Sequence, residues 1–329
     1  MPDLNISIAI CTYNRCDMLR RVLDDLVQLE TPFPGFGWEL IVIDNNSDDA
    51  TKSTVEAFDG RLPIRYIFEP KQGLGHARNR VLREYRADLL AFLDDDISVE
   101  RQWLVRLWQA SERWPDVDVF HGRVLPVWQC QPPLWLSLDP KILVRAPLPE
   151  VDRGDEEKEI GPALFTPANV AIRRCAVERA GLFATEFGTG TSGIIRGEEA
   201  YFGRKLELLG VRGRYIPEVC VHHPVDEARL NHAYFRLWSR SMGRARVRFY
   251  PMLHAGARHR WGVPTHVPRE WFECRMRQFL CWLQRDAPMS FYHRCRAWKL
   301  EGMMYEGWIV QPRQAELGHL DAGQTSTAS

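Results

Sequence analysis

Residues 6–93 alternate strand and helix signals without a break, and this alternation restricts the fold more than any other feature of the chain. Ile6–Cys11 (ISIAIC), Trp38–Asp44 (WELIVID), Ile64–Phe68 (IRYIF) and Leu89–Leu93 (LLAFL) are short apolar runs of strand length. Between them, Asp17–Leu29 carries Met18, Leu19, Val22, Leu23 and Leu26 at helical spacing, with Asp17 as the expected N-cap. Thr51–Phe58 and Gly75–Tyr85 predict two more helices. This order predicts an α/β fold with a mainly parallel central sheet flanked by helices. In such sheets ligands bind beyond the carboxyl ends of the strands.

The later chain is less regular. Residues 99–114 predict a Trp-rich helix and residues 117–127 a strand. Gln129–Gly161 is rich in proline and holds an acidic run, Asp152–Glu159; it is expected to be a long loop over the site. Ala163–Arg173 predicts a strand, Ala176–Gly181 a short helix, and Gly188–Gly197 a flexible loop. Glu198–Leu209 is an amphipathic helix closed by Gly210, and Arg214–His222 is the last strand. From Asp226 to Arg313 the pattern is helical and basic, with 16 Lys/Arg against 7 Asp/Glu and six tryptophans from Trp238 to Trp308. The expected organisation is a sheet domain over 1–225, a helical extension over 226–313, and a disordered tail over 314–329.

Three aspartates, Asp94-Asp95-Asp96, end the fourth strand, where a ligand belongs. In an extended segment alternate side chains share a face, so Asp94 and Asp96 point together and Asp95 points away. Two such carboxylates repel one another, and a divalent cation, Mn²⁺ or Mg²⁺, removes that cost. The plainer reading is the N-cap and acidic first turn of the helix near Val99. Asp44 ends the second strand in the same way and is followed by turn-forming Asn45, Asn46 and Ser47; a helix-capping loop is its plainer reading. In Lys71–Asn79 two glycines precede a helix whose N-terminal amides could approach an anion. The spacing is a poor match to a dinucleotide fingerprint. Arg78 suits a phosphate or base, or a solvated helix surface. Glu198 and Glu199 open a helix after a glycine-rich loop, as a general base at a site edge or as partners of the helix dipole. His222-His223 follows the last strand, and one imidazole could complete a metal site.

Together these segments resemble family 2 glycosyltransferases of the GT-A fold. The matching stretches are ISIAICTYNR (6–15), ELIVIDNNSDDAT (39–51), GLGHARN (73–79), AFLDDD (91–96), TPANVAIRR (166–174), RGEEAYFGRKLELLG (196–210) and RYIPEVCVHHP (214–224). The resemblance covers residues 6 to about 224. It implies that Asp44, the backbone around Cys11, Thr12 and Tyr13, Arg15 and Arg78 contact the donor nucleotide. It also implies that Asp94, Asp95 and Asp96 form the DxD motif, with Asp96 the first choice as direct metal ligand, Asp94 beside it, His223 the next ligand and His222 the alternative. Glu199 stands where the family usually carries an aspartate as general base. Glutamate can make the same transfer but reaches one methylene further, and Glu198 is the fallback.

The implied reaction is inverting transfer of a sugar, with a UDP-sugar favoured, to a hydroxyl of a saccharide or lipid-linked saccharide in polysaccharide biosynthesis. The competing readings are a non-catalytic nucleotide- or polysaccharide-binding scaffold and a nucleotidyltransferase. The charges balance at 43 Lys+Arg against 43 Asp+Glu, so overall charge favours no partner. No apolar run is long enough to span a membrane. The N-terminus does not read as a signal peptide, so a cytoplasmic location is expected. The scattered cysteines have no zinc-ligand spacing and read as reduced, mostly buried thiols. The basic extension reads either as a helical cap or as a peripheral contact on the inner face of an anionic membrane. No nucleic-acid module is found.

Overall fold

The computed structural model describes residues 4–139, 141, 142, 144, 147–186, 197–253, 259, 260 and 262–310. The expected loop over Gly188–Gly197, apart from Gly197, and the expected tail over 314–329 lie outside the described residues. The chain forms two compact units. One is Met1–Gln129 with Pro149–Val225, and the other is Cys130–Leu148 with Asp226–Ser329.

The first unit begins with β1 (Ile6–Thr12), α1 (Cys16–Val27), β2 (Trp38–Asp44), α2 (Thr51–Glu56), β3 (Ile64–Phe68), α3 (Leu74–Glu84) and β4 (Leu89–Leu93). These four strands pair in parallel in the order β3-β2-β1-β4. Side-chain alternation along them builds a core on each face of the sheet. Ile6, Ile8 and Ile10 of β1, with Leu89, Ala91 and Leu93 of β4, pack against Leu19, Val22, Leu23 and Leu26 of α1. On the opposite face Ala9, Ile41, Leu90 and Phe92 pack against Ala77 and Val81 of α3.

The remaining strands give the sheet a mixed half. They are β5 (Ser98–Val99), β6 (Val119–Trp128), β7 (Lys158–Glu159), β8 (Asn169–Arg173) and β9 (Gly213–Val225), with α4 (Trp103–Arg113), α5 (Arg174–Ala180) and α6 (Glu198–Leu208). Strand β8 is antiparallel to both β4 and β6, and β6 runs parallel to β9. Three local expectations need correction. The helix expected over 99–114 starts at Trp103, because Val99 pairs instead with Val221 at the sheet edge. The strand expected over 163–173 is confined to Asn169–Arg173, since Pro162–Leu164 forms a 3-10 turn. Helix α1 starts at Cys16, ahead of Asp17, and the Cys16 N–H donates to Asp49 at 3.0 Å.

The second unit contains α7 (His232–Leu253), a small hairpin of β10 (His259–Arg260) and β11 (Val263–Pro264), α8 (Val267–Leu283) and α9 (Ala287–Tyr305). Helices α7 and α9 approach closely at glycines: a Cβ on Gly302 would meet the Arg240 carbonyl oxygen at 2.1 Å. Glu306 is fully buried and accepts from Arg244 Nε at 2.9 Å and Arg248 Nε at 2.7 Å. The segment read as part of a loop over the site places Trp135 in this unit, with ring centroids 4.7 Å from His232 and 4.2 Å from Phe291. All eight cysteines are free, but only Cys220, Cys274 and Cys295 are buried, and Cys175 is exposed.

Candidate active site

Helix α1 begins four residues after β1 ends, and the tight turn between them brings Thr12 and Arg15 to the end of β4. Asp95 accepts from Thr12 Oγ1 at 2.8 Å and from Arg15 Nη1 at 2.9 Å. Its carboxyl is pushed up to about 6, chiefly by desolvation, with Arg15 working the other way. Asp95 therefore ties the strand ends together. Arg15 reaches Asp96 Oδ2 at 3.4 Å as well and stays half-exposed. The aspartates do not cap a helix: α4 begins only at Trp103, with no side-chain cap.

Asp94 and Asp96 also meet β9. There His223 is buried, and the ligand atoms of Asp94, Asp96 and His223 all lie within 4.8 Å of one another. His223 Nδ1 is 3.0 Å from the Pro224 carbonyl oxygen, which can only accept, so Nδ1 carries the proton. In the neutral ring Nε2 then presents a lone pair, and it faces Asp96 Oδ1 at 3.0 Å. A divalent cation held by both would bridge them, as would a proton on Nε2. Desolvation first, and Asp96 second, raise the Asp94 carboxyl. The donor set of two carboxylates and one imidazole suits Mn²⁺ or Mg²⁺. His222 does not join this group. The strand alternation turns it to the opposite face of β9, beside Glu100 and Cys220, and Glu100 is paired with Arg106.

Asp44 is buried at the end of β2. It accepts from the Ser47 N–H at 2.9 Å and from the Tyr66 hydroxyl at 2.7 Å. Burial first, and the Asp44 carboxylate second, raise the Tyr66 phenol, which keeps it the donor. Next to it, Asn45 donates to the Lys71 carbonyl at 2.7 Å and accepts from the Gly73 N–H at 2.8 Å. This engages one amide of the glycine pair that the sequence offered to an anion. The second glycine is explained by packing, since a Cβ on Gly75 would lie 2.9 Å from the Ala184 carbonyl oxygen. Tyr13 is exposed beside this floor. Cys11 is half-buried, and burial pushes its thiol up to about 12.

The third part of the site is carried by α3 and α6. Asn79 donates to the Phe183 carbonyl at 2.9 Å and accepts from the Phe183 N–H at 2.8 Å, fixing the segment ahead of α6. Phe183 stacks on Phe202 of α6 with centroids 4.1 Å apart. This places the first turn of α6 over Arg78. Arg78 is only 5% exposed, so it is not a solvated surface group. Arg78 Nη1 donates to Glu198 Oε1 at 2.6 Å and lies 3.9 Å from Glu199 Oε2. Burial works against the Arg78 cation, and the two glutamates outweigh it. Glu198 is buried and committed to this pair. Glu199 remains 25% exposed, and its carboxyl is pushed up to about 8 by desolvation and then by Glu198.

Sequence reasoning missed Tyr66, Asn45 and Asn169. Asn169 accepts from Trp103 Nε1 at 3.0 Å and donates to the Arg123 and Val219 carbonyls, which holds the irregular pairing of β6 with β9 just ahead of His223. Its signal was present in the matching stretch TPANVAIRR, without a role attached.

Succinoglycan biosynthesis protein ExoM of Rhizobium meliloti (strain 1021) is 28% identical over 285 residues, which cover 85% of this chain and 87% of that protein. Validoxylamine A glucosyltransferase of Streptomyces hygroscopicus subsp. jinggangensis is 37% identical over 101 residues, 30% of this chain and 24% of that protein. Among solved structures, the mannosyltransferase PcManGT from Pyrobaculum calidifontis, in complex with GDP-Man and Mn²⁺, aligns with a TM-score of 0.61 at 17% identity, covering 94% of this chain and 89% of that one. S. aureus TarS in complex with UDP-GlcNAc aligns at 0.53 and 15% identity, covering 95% and 92%. These likenesses show the GT-A fold. Residues 7–178, more than half of the chain, match Glycosyl transferase family 2. The chain belongs to that family and is a glycosyltransferase.

Proposed function

We propose that this glycosyltransferase moves a sugar from a nucleotide-diphosphate donor to a hydroxyl of a saccharide or lipid-linked saccharide, with inversion and with a divalent cation, in polysaccharide biosynthesis. The observation that carries this reading is the convergence of Asp94, Asp96 and His223, whose ligand atoms all lie within 4.8 Å of one another. Similarity to a succinoglycan biosynthesis protein over most of both chains supports the pathway class. A UDP-sugar is the favoured donor and a GDP-sugar the second class to test, because solved structures of this fold bind each.

In this reading Asp94, Asp96 and His223 hold the cation. When bound, the cation offsets the negative charge that grows on the departing diphosphate. Asp44 and the Cys11–Tyr13 turn receive the base and ribose. Asp95 and Thr12 keep the strand ends in register. Arg78 remains charged behind the donor because Glu198 neutralises it there. The acceptor oxygen attacks the anomeric carbon from the face opposite the diphosphate. The anomeric carbon–oxygen bond breaks, its electron pair leaves with the diphosphate, and the acceptor proton passes to Glu199. Glu199 fits this role better than Glu198, which is buried in an ion pair.

The test is nucleotide release from a donor sugar in the presence of acceptor saccharide, compared with donor affinity, for wild type and Glu199→Gln. The expected variant binds donor normally and fails to transfer. Normal transfer by the variant removes Glu199 as the base.

A further inference from the structure

Helix α8 shows an arrangement that the transfer reaction does not use. One face of Val267–Leu283 packs inward, with Val267 and Cys274 buried and Val267 joining a core with Ala297, Leu300 and Met303 of α9. The opposite face is apolar and exposed. Phe272 is 61% exposed, Met276 43%, Phe279 51% and Leu283 56%, and on a helix these residues fall in one stripe. Leu280 and Trp282 flank the stripe, at 50% and 64% exposed. Single exposed apolar residues need no explanation, but a contiguous patch of large ones marks a contact surface.

Charge indicates which partner covers it. Arg269 and Arg275, three residues before and after Phe272, are exposed and flank the stripe on either side. The acidic residues of the helix are Glu270 and Glu273, and both sit in ion pairs, with Arg296 and Arg269. An apolar stripe bordered by arginines matches the interface of an anionic bilayer, where acyl chains take the stripe and headgroup phosphates take the guanidinium groups. Trp282 and Phe279, stacked with centroids 5.9 Å apart, stand at the C-terminal end of the stripe. We infer that α8 lies in the surface of an anionic membrane, with Phe272, Met276, Phe279 and Leu283 in the acyl region and the arginines at the phosphates. The inference is independent of the donor reading, because α8 carries none of the site residues.

The experiment is co-sedimentation of the full chain with vesicles of phosphatidylcholine alone or with added phosphatidylglycerol. It uses wild type, Phe272→Ser/Phe279→Ser and Arg269→Glu/Arg275→Glu, with light scattering on each protein without lipid. Thermal unfolding and nucleotide titration of the variants serve as folding controls. Wild type is expected to sediment with the anionic vesicles and to be released by salt. Each double variant should lower its partition coefficient by about tenfold or more, with unfolding and nucleotide binding unchanged. Wild type that ignores anionic vesicles overturns the inference, as does an apolar variant that binds them like wild type. If wild type is a dimer that the apolar variant converts to monomer, the face is covered by a second copy of the chain, and the membrane assignment is wrong.

Discussion

The two units reverse the usual placement of side chains in opposite senses. The sheet unit buries charge: Asp95, Asp96, Arg78 and Glu198 are each no more than 8% exposed. The helical unit exposes apolar surface along α8. Neither is the least costly state for a chain alone in water. Buried charge is retained where it meets an opposite charge, and exposed apolar area where something covers it. Within the sheet unit the distinction sharpens further. Asp95 and Glu198 are paired with Arg15 and Arg78, while Asp96, which Arg15 also touches at 3.4 Å, converges with Asp94 and His223. The groups paired within the fold are its scaffold. The convergence of Asp94, Asp96 and His223 is where the proposed cation would sit.

The largest effect should come from breaking that last group. Asp96→Asn should lower transfer by about a thousandfold, the loss of several kcal/mol of charge stabilisation, with little change in unfolding temperature. Steady-state rates and thermal unfolding check this together, and a chelator should reproduce the loss in wild type. The two glutamates of α6 should then separate. Glu199→Gln should cost about 10²–10⁴ in kcat while the fold is kept. Glu198→Gln should instead cost about 3–5 kcal/mol of stability, because Arg78 is left buried beside a neutral partner. Denaturant unfolding of both variants tests the split, and equal destabilisation would undo it.

A smaller effect is the pH profile. The Glu199 carboxyl is held above its ordinary value, near 8, so the free enzyme carries it largely protonated at pH 7. The kcat/KM for transfer should rise with pH through about 8 as the base is freed, and Glu199→Gln should lose that limb. The same shift means that the folded state binds this proton more tightly than the unfolded chain. Stability from this group is fully present below the ordinary glutamate value and is lost as pH rises through about 8. The smallest effects concern α8. Val267→Ala on its buried face should cost about 1–2 kcal/mol, two methyl groups at about 0.8 kcal/mol each. Phe279→Ser on the exposed face should stay within about 0.5 kcal/mol. A large loss for Phe279→Ser would show that this face is packed.

The parallel half of the sheet was legible because its strands and helices announce themselves locally. Leu89–Leu93 was found to the residue, but the aspartates after it are not the extended run that alternation assumed: the chain turns at Asp95-Asp96, and Arg15 touches both. The beginning of α4 was not legible. Val99 is taken into a strand by Val221, which lies far along the chain. The polar scaffold was hidden for the same reason. Arg78 and Glu198 are separated by 120 positions, and each alone reads as a surface helix residue. Tyr66 looked like one apolar position of a strand until its hydroxyl met Asp44. The exposed face of α8 was only partly visible: the Trp and Arg content suggested a surface, but the stripe needs the helix and its buried side to be known.

The central claim is that Asp94, Asp96 and His223 hold a divalent cation with a nucleotide diphosphate. Calorimetric titration of the full chain with UDP and with GDP, with and without Mn²⁺, tests it directly on wild type and Asp96→Ala. The account predicts binding of one of the two nucleotides that depends on Mn²⁺ and is lost in the variant. Equal affinity with and without the metal, or equal affinity in Asp96→Ala, would contradict it.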